Sequence, residues 1–236
     1  MVAAVSPEAG GTAVLLVGLL LVRLTVADVY QRYVRVEMGP WLLAAGVLLI
    51  GLGAVTVAAA LRRTAAPAGL GADHHHSDRV GWLLLVPVVA LLLAPPPALG
   101  SFGVDRSAPA VFVGSGGRTY APLPQGGPHP LTIREFDERA VDAGGASFAG
   151  AAVELTGFVA RPQDGAGLRL ARFQISCCAA DAVAAVVRVI DPGRPALARD
   201  SWLTVRGTFR GVGPDGVPEL DAVSTQPREA PVDPYE

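Results

Sequence analysis

The chain contains no lysine, and its 19 basic residues are all arginine. Aromatic residues make up only 6% of the sequence, and the formal net charge is -2. Proteins that bind nucleic acid carry a strongly basic surface, and those that bind single strands add exposed aromatic side chains on which bases stack. Because the sequence shows neither feature, it excludes nucleic acid as a partner.

Cysteine is also scarce, since the sequence has two and they are adjacent, Cys177 and Cys178. A disulfide between neighbouring residues would close a strained ring and would connect no distant parts of the chain. The pair is therefore no disulfide framework, and it does not identify the compartment of the domain. The first ten residues have no basic side chain. They lack the start of a secretory signal, so we expect the first apolar run to be retained.

Hydrophobic residues, by contrast, reach 51% of the sequence, with a mean hydropathy of +0.42. They are concentrated in the first hundred residues as three long apolar runs, and a bilayer core of about 30 Å needs about 20 helical residues. The predicted organisation is a transmembrane region over 1–100 with spans at about 11–29, 41–61 and 80–99, a linker over 101–130 with one short strand at 110–113, and a soluble domain over 131–236.

The second run is the best defined of the three. It begins at Trp41, a residue typical of the membrane interface, and it ends at Arg62 and Arg63. Small residues within it offer a surface that another helix can approach closely. These residues are Gly46, Gly51, Gly53 and Ala54.

Arginines near the apolar runs indicate how the chain is oriented. Arg23 lies inside the first run, where it either extends to the membrane interface or contacts another membrane subunit. The loop between the second and third runs has arginines next to both helix ends, at Arg62, Arg63 and Arg79. The opposite side has as many arginines near the membrane, Arg32, Arg35 and Arg106, so the count alone does not decide. Because the arginines of this loop adjoin the helix ends, we expect the loop to be cytoplasmic and the C-terminal domain to be extracytoplasmic.

That loop also holds three consecutive histidines, His74, His75 and His76, between two aspartates. Imidazoles attract transition metals, but ligands that share one face of a helix are spaced at i and i+4. We therefore expect an exposed loop with weak metal affinity, in preference to a dedicated site. His129 lies between two prolines and is expected to be a loop residue.

The soluble domain begins with a predicted amphipathic helix. Thr132 and Glu135 form a Thr-x-x-Glu capping box, and Ile133, Phe136 and Ala140 follow at helical spacing. Five strand-like runs come next, separated by turn residues: Ala152 to Val159, Leu168 to Cys177, Val183 to Ile190, Trp202 to Arg210 and Val217 to Val223. The predicted fold is a membrane α-helical N-terminal part followed by an all-β (α+β) domain, in which a short helix precedes a five-stranded OB-like barrel.

The apolar pattern changes phase within the second of these runs. Leu168 and Leu170 lie on one face of a strand, whereas Phe173, Ile175 and Cys177 lie on the other. A β-bulge near residues 171–172 would restore burial, and it would orient the turn that follows.

That turn contains both cysteines, and Asp181 follows Cys178 by three residues. Two sulfurs and a carboxylate at one corner suit a soft metal ion, or they present a reactive thiol. Free cysteine is also often a small buried hydrophobe, so simple packing is the third alternative.

The stretch 172–182 reads Arg-Phe-x-Ile-x-Cys-Cys-x-Ala-Asp-Ala, and it follows N-terminal membrane spans. In this it resembles the small subunit of the YcgQ-type two-component membrane permeases. Residues 131–136, the Gly-Phe-Val of 157–159 and the Asp-Pro-Tyr of 233–235 agree with the same family. The resemblance implies an accessory subunit that accompanies a larger polytopic permease. It also implies binding roles for Arg172, Cys177, Cys178 and Asp181.

Two functions of different classes therefore stand as expectations. The first is an accessory subunit of a permease complex in the lipid bilayer, whose soluble domain binds a ligand or regulates transport. The second is a membrane-anchored thiol or metal-binding protein that delivers or senses a soft metal such as zinc. Cys177, Cys178 and Asp181 are one ligand short of the four of structural zinc, so water, His129, the histidine loop or a partner would supply the fourth.

We expect no enzyme activity and assign no catalytic residue. The sequence has no Ser-His-Asp arrangement, no phosphate-binding glycine loop and no Cys-x-x-Cys motif. The adjacent cysteines also have no histidine near them in sequence that would activate a thiolate.

Overall fold

The computed structural model describes residues 7–64, 85–94, 97–107, 119–161, 167–190 and 197–236. The chain forms two compact units, Met1–Pro97 and Ala98–Glu236. The α-helices are α1 Pro7–Val26, α2 Gly39–Thr64, α3 Leu85–Leu93, α4 Ser101–Arg106 and α5 Ile133–Val141. The strands are β1 His129–Leu131, β2 Ala152–Arg161, β3 Leu168–Gln174, β4 Val183–Ile190, β5 Trp202–Val212 and β6 Pro218–Arg228.

In the first unit, α1 and α2 are both long and apolar enough to cross a membrane. They run antiparallel and pack directly against each other. A Cβ atom on Gly18 would lie 2.8 Å from the carbonyl oxygen of Gly46, and one on Gly53 would lie 2.7 Å from the backbone nitrogen of Leu15. Glycine therefore sets the distance between these helices. A Cβ atom on Gly51 would have no neighbouring atom within 4 Å, so only part of the predicted small-residue surface contacts α1.

The third predicted span, 80–99, is not confirmed. Its described part forms α3, which has nine residues and packs against α1. A spanning helix needs about 20 residues, so α3 by itself is too short. Residues 80–84 and 95–96 lie outside the described residues, as do the three histidines at 74–76.

The second unit is built on a closed barrel. Its strands follow the order β2, β3, β4, β6, β5, and β5 pairs again with β2 to complete the circle. Neighbouring strands are antiparallel except β4 and β6, which are parallel. All five predicted strands are present, which confirms the predicted five-stranded barrel. The short β1, which was not predicted, adds to β2 in parallel.

Helix α5 packs against all five barrel strands, and its apolar face enters the main core. Ile133, Phe136 and Ala140 are completely buried, as their helical spacing predicts. Burial of a side chain the size of Ile or Phe stabilises a fold by about 1.5–3 kcal/mol. The predicted cap is also confirmed, since the Thr132 hydroxyl accepts a hydrogen bond from the Glu135 N–H at 2.9 Å.

The phase change in β3 has a cause other than the one predicted. Pairing with β4 runs without interruption from Leu168 to Gln174, so the expected bulge is wrong. Both faces of the strand are buried instead. Leu170 faces the barrel core, while Ala171 and Phe173 belong to a second apolar cluster, which also includes Tyr235. β3 ends at Gln174, so Cys177 lies in the turn and not on a strand face.

This second cluster is covered by the last residue of the predicted third span and by the first part of the predicted linker. Leu99 and Val104 pack against it, and the intervening Ser101 is tied to Asp200. The backbone N–H and the hydroxyl of Ser101 donate to the Asp200 carboxylate at 2.6 and 2.9 Å. Part of the predicted linker is thus an ordered component of the barrel unit. Its remaining segment 108–118, including the strand expected at 110–113, lies outside the described residues.

Candidate functional site

Both cysteines lie in the short connection between β3 and β4. After Gln174 the chain turns through Cys177 and Cys178 into a 3-10 helix, Ala179–Asp181, and β4 begins at Val183. Because the strands on either side are antiparallel neighbours, this turn projects at one end of the barrel. Cys177 is exposed and Cys178 is half-buried, and neither forms a disulfide. The packing alternative therefore does not describe Cys177.

Asp181 organises the turn through its carboxylate. One oxygen accepts the Ser176 N–H at 2.7 Å, and the other accepts the N–H groups of Cys177 and Cys178 at 2.8 and 3.4 Å. A hydrogen bond from the Cys177 side chain and these backbone donors lower the pKa of Asp181 to about 2. The carboxylate is therefore ionised at neutral pH, and it already stabilises the backbone of the turn.

The same contacts act on the thiol in the opposite direction. Hydrogen bonding to Asp181, and then to Cys178, raises the pKa of Cys177 to about 11. Only a small fraction of the sulfur is thiolate at neutral pH, and the thiolate is the nucleophilic form. The geometry thus disfavours the reactive-thiol alternative for Cys177.

The donor set nevertheless converges. Ligand atoms of Cys177, Cys178 and Asp181 all lie within 4.8 Å of one another, while two sulfurs on a tetrahedral zinc ion are about 3.8 Å apart. Two sulfurs and one oxygen fit a soft or borderline dication, which would displace the thiol protons on binding. His129 is not part of the group, because its imidazole Nε2 bonds the Pro124 carbonyl oxygen at 2.9 Å.

Arg172, the fourth residue that the family resemblance implied, makes its contacts elsewhere. Its guanidinium donates to the carbonyl oxygens of Asp233 and Tyr235, both at 3.1 Å, and of Pro234 at 3.3 Å. It also lies 3.9 Å from the carboxylate of Glu236. Arg172 therefore holds the C-terminal segment against β3, a role that the alternation of the strand alone does not reveal.

The C-terminal segment completes this part of the barrel. Tyr235 is buried and pairs in parallel with Phe173, and the Glu236 N–H donates to the Phe173 carbonyl oxygen at 2.9 Å. The Glu236 carboxylate accepts the backbone N–H groups of Ile133 and Arg134 at 3.0 and 3.3 Å, which places a negative charge at the N-terminus of α5.

Glu236 and Asp137, both with buried side chains, are among the carboxylates that sequence reasoning missed. The signal for Asp137 was present in the helix. It is four residues after Ile133 and one after Phe136, so it lies on the buried side of α5. No comparable signal exists for Glu236, because its partners are more than 100 residues away.

Comparison with protein-family models gives one match. Residues 140–236 match the DUF1980 C-terminal domain. A comparison with curated proteins gave no match. The matched part contains the five barrel strands, the cysteine turn and the C-terminal segment, and it is consistent with the YcgQ-type family that residues 172–182 resemble.

Proposed function

We propose that the chain is a non-enzymatic accessory subunit of a membrane transport complex, whose barrel binds a ligand or regulates transport. The observation that carries the proposal is the apolar outer face of α2. Val47, Leu48 and Val55 are 59%, 67% and 68% exposed, although α2 already packs on α1. Gly18, Gly46 and Gly53 lie in the contact between the two helices, so the apolar outer face is left for lipid or another membrane subunit.

Two further observations support a partner in addition to lipid. The family resemblance of residues 172–182 implies a larger polytopic permease beside this subunit. The match of 140–236 to the DUF1980 C-terminal domain is consistent with that family. We propose that the polytopic subunit packs on the outer face of α2, and that the chain crosses the membrane once more between Arg63 and the barrel unit. With the end of α2 at Arg63 on the cytoplasmic side, this third crossing places the barrel on the extracytoplasmic side.

A photoreactive residue at Leu48 tests the partner in native membranes. We expect a covalent adduct with a polytopic membrane protein, and none from a matched photoreactive residue at the exposed Glu229 of the barrel unit. Exchange of residues 7–64 for one unrelated apolar helix should abolish the adduct and co-purification. Adducts with lipid or with a second copy of this chain alone would contradict the proposal. Reporter fusions after Arg63 and at Glu236 test the orientation.

A second candidate function rests on the convergence of Cys177, Cys178 and Asp181. In this function the barrel binds a soft dication such as zinc for delivery or sensing. Purified full-length protein should then retain about one metal ion per chain in elemental analysis. Either Cys177→Ser or Cys178→Ser should abolish retention while the fold persists, whereas Ser224→Ala should not. Binding should also weaken as pH falls, because protons compete for the sulfurs. Absence of bound metal in the zinc-loaded wild type would contradict this function.

A further inference from the structure

A cleft of about 240 Å³ opens on the barrel unit, away from the residues of the cysteine turn. It is bounded by α4 and the residue after it, the end of β2, the outer face of β4 and the turn between β5 and β6. Its apolar wall consists of Val104, Ala160, Ala184, Val186, Val217 and Pro218. The volume is below the roughly 300–1,000 Å³ of pockets for drug-sized molecules, so the cleft suits a small ligand.

Asp137 lies at this cleft. The residue is 8% exposed, and its carboxylate makes no hydrogen bond or ion pair with any residue in the described parts of the chain. Its neighbours on α5 are paired differently, since Glu138 accepts from Arg134 at 2.7 Å and Glu135 accepts from Arg139 at 2.9 Å. Burial, with a contribution from the charge of Glu138, raises the pKa of Asp137 to about 7.

An unpaired buried carboxylate is costly to a fold, because the charge loses its hydration without gaining a partner. Such groups are rare among buried residues and are concentrated at binding and catalytic sites. Among the described residues, Asp137 makes no hydrogen bond that would hold the barrel together. A ligand that supplies a positively charged hydrogen-bond donor would satisfy it.

The rim of the cleft carries charges of both signs, Asp105 and Asp215 together with Arg161 and Arg169. Asp105 lies between two arginines, Arg161 at 3.4 Å and Arg199 at 2.7 Å. Asp215 likewise accepts from two arginines, Arg169 of the rim at 3.0 Å and the buried Arg188 at 2.5 Å. Each rim carboxylate is therefore shared by two guanidinium groups, and guanidinium binds carboxylates well.

We propose that this cleft binds a small zwitterion with an apolar body, such as an aliphatic amino acid, with its ammonium group on Asp137 and its carboxylate towards Arg161 and Arg169. The apolar wall accommodates the side chain between the two charges. A metal ion is a poorer occupant, because Asp137 belongs to no group of three metal-ligating side chains among the described residues. No residue of the cysteine turn lines this site. Binding at the site does not depend on whether the proposed transport complex exists.

The test uses the full chain in detergent at about pH 8, where Asp137 is largely ionised, and three probes that share the isobutyl group of leucine. L-leucine carries both charges, isopentylamine only the positive one and 4-methylpentanoate only the negative one. Binding is measured by titration calorimetry and by the ligand-induced rise in Tm. We expect L-leucine to bind at least tenfold more tightly than either single-charge analogue.

Isosteric variants then assign each charge. Asp137→Asn should lower the affinity for L-leucine and for isopentylamine at least tenfold and leave the affinity for 4-methylpentanoate unchanged. Arg161→Gln should lower the affinity for L-leucine and for 4-methylpentanoate several-fold and leave the affinity for isopentylamine unchanged. Glu229→Gln and Arg228→Gln, at exposed positions away from the cleft, should match the wild type. Circular dichroism of each variant confirms that it is folded.

Three results would overturn the proposal. The first is no binding of any probe at about 10 mM. The second is unchanged affinity for L-leucine in folded Asp137→Asn protein. The third is equal affinity for isopentylamine and L-leucine, because the rim arginines would then not contribute to binding of the ligand carboxylate. Because no other subunit is present in these measurements, none of these results depends on whether a permease partner exists.

Discussion

Glu236 accepts a hydrogen bond from the backbone N–H of Ile133 at 3.0 Å, across 103 residues of sequence. The second carboxylate oxygen accepts the N–H of Arg134 at 3.3 Å, and the Thr132 hydroxyl accepts the N–H of Glu135. Three of the four free N–H groups at the start of α5 are thereby satisfied. The helix that packs against the barrel strands is thus capped partly by its own sequence and partly by the C-terminal segment.

Substitution of Glu236 should therefore destabilise the barrel. Glu236→Ala removes the carboxylate that accepts the N–H groups of Ile133 and Arg134 and that lies beside Arg172. The side chains of Glu236 and Arg172 are both largely buried. We expect a loss of about 1–3 kcal/mol in the free energy of unfolding. Urea denaturation of the full chain in detergent, followed by the fluorescence of Trp202, measures it. Glu229→Ala, at an exposed position, is the control, and an equal loss there would show that the cap is not responsible.

The contact of α1 with α2 should depend on which glycine is changed. Gly18→Leu places a side chain against the backbone of Gly46, where a Cβ already approaches within 2.8 Å. We expect a cost of about 1–3 kcal/mol, typical of overpacking. Gly51→Leu, on a side of α2 with nothing within 4 Å, should change stability by less than about 0.5 kcal/mol. Denaturation in SDS mixed micelles, followed by far-ultraviolet circular dichroism, compares the two. Equal effects would argue against the packing of these helices.

Asp181 should contribute to stability in acid. Its folded pKa of about 2 is below the value of about 3.9 in an unfolded chain, so the unfolded state binds more protons between these values. The contribution of Asp181 is complete above about pH 4 and is lost as the pH falls towards 2. Asp181→Asn should lower Tm at neutral pH and reduce the acid dependence in that window. Thermal scans from pH 2 to 6 test this, and parallel curves for variant and wild type would refute it.

Asp137 should act in the opposite pH direction. Its folded pKa of about 7 exceeds the unfolded value of about 3.9, so the folded state binds more protons between them. Stability attributable to this group is present below about pH 4 and is lost as the pH rises through 7. Glu138 and Arg134 on its own helix, and the paired Arg161, Asp105, Arg169 and Asp215 across the cleft, are the other charges near it.

Asp137→Asn, measured without ligand, should therefore raise Tm more at pH 8 than at pH 5. The buried amide avoids the cost of ionisation that the wild type incurs at the higher pH. Differential scanning fluorimetry at both values provides the comparison. A lower Tm in the variant at pH 8 would mean that the carboxylate is needed for folding, contrary to its lack of partners among the described residues.

Local sequence signals were sufficient for those features whose causes are local. The cap at Thr132 and the spacing of Ile133, Phe136 and Ala140 specify α5, because capping and helical periodicity act within a few residues. The five barrel strands were found for the same reason, since short apolar runs between turn residues are visible without partners. The apolar runs that became α1 and α2 needed only length and composition.

Features that depend on contacts between distant segments could not be obtained in this way. The phase change after Leu170 predicted a bulge, whereas Phe173 is buried on the outer face because Leu99 and Tyr235 cover it. Only the closed barrel shows that both faces of one strand can be buried by different parts of the chain.

The cysteine turn shows both contributions. Sequence alone placed Cys177, Cys178 and Asp181 at one corner, because they are separated by at most four positions. The tertiary structure decided that Arg172 binds the C-terminal segment, and that Asp137 lies at a cleft without a hydrogen bond to any of the described residues. Spacing along the chain determines which side chains share a face or a turn, but the partners of a charge depend on which distant segments pack beside it.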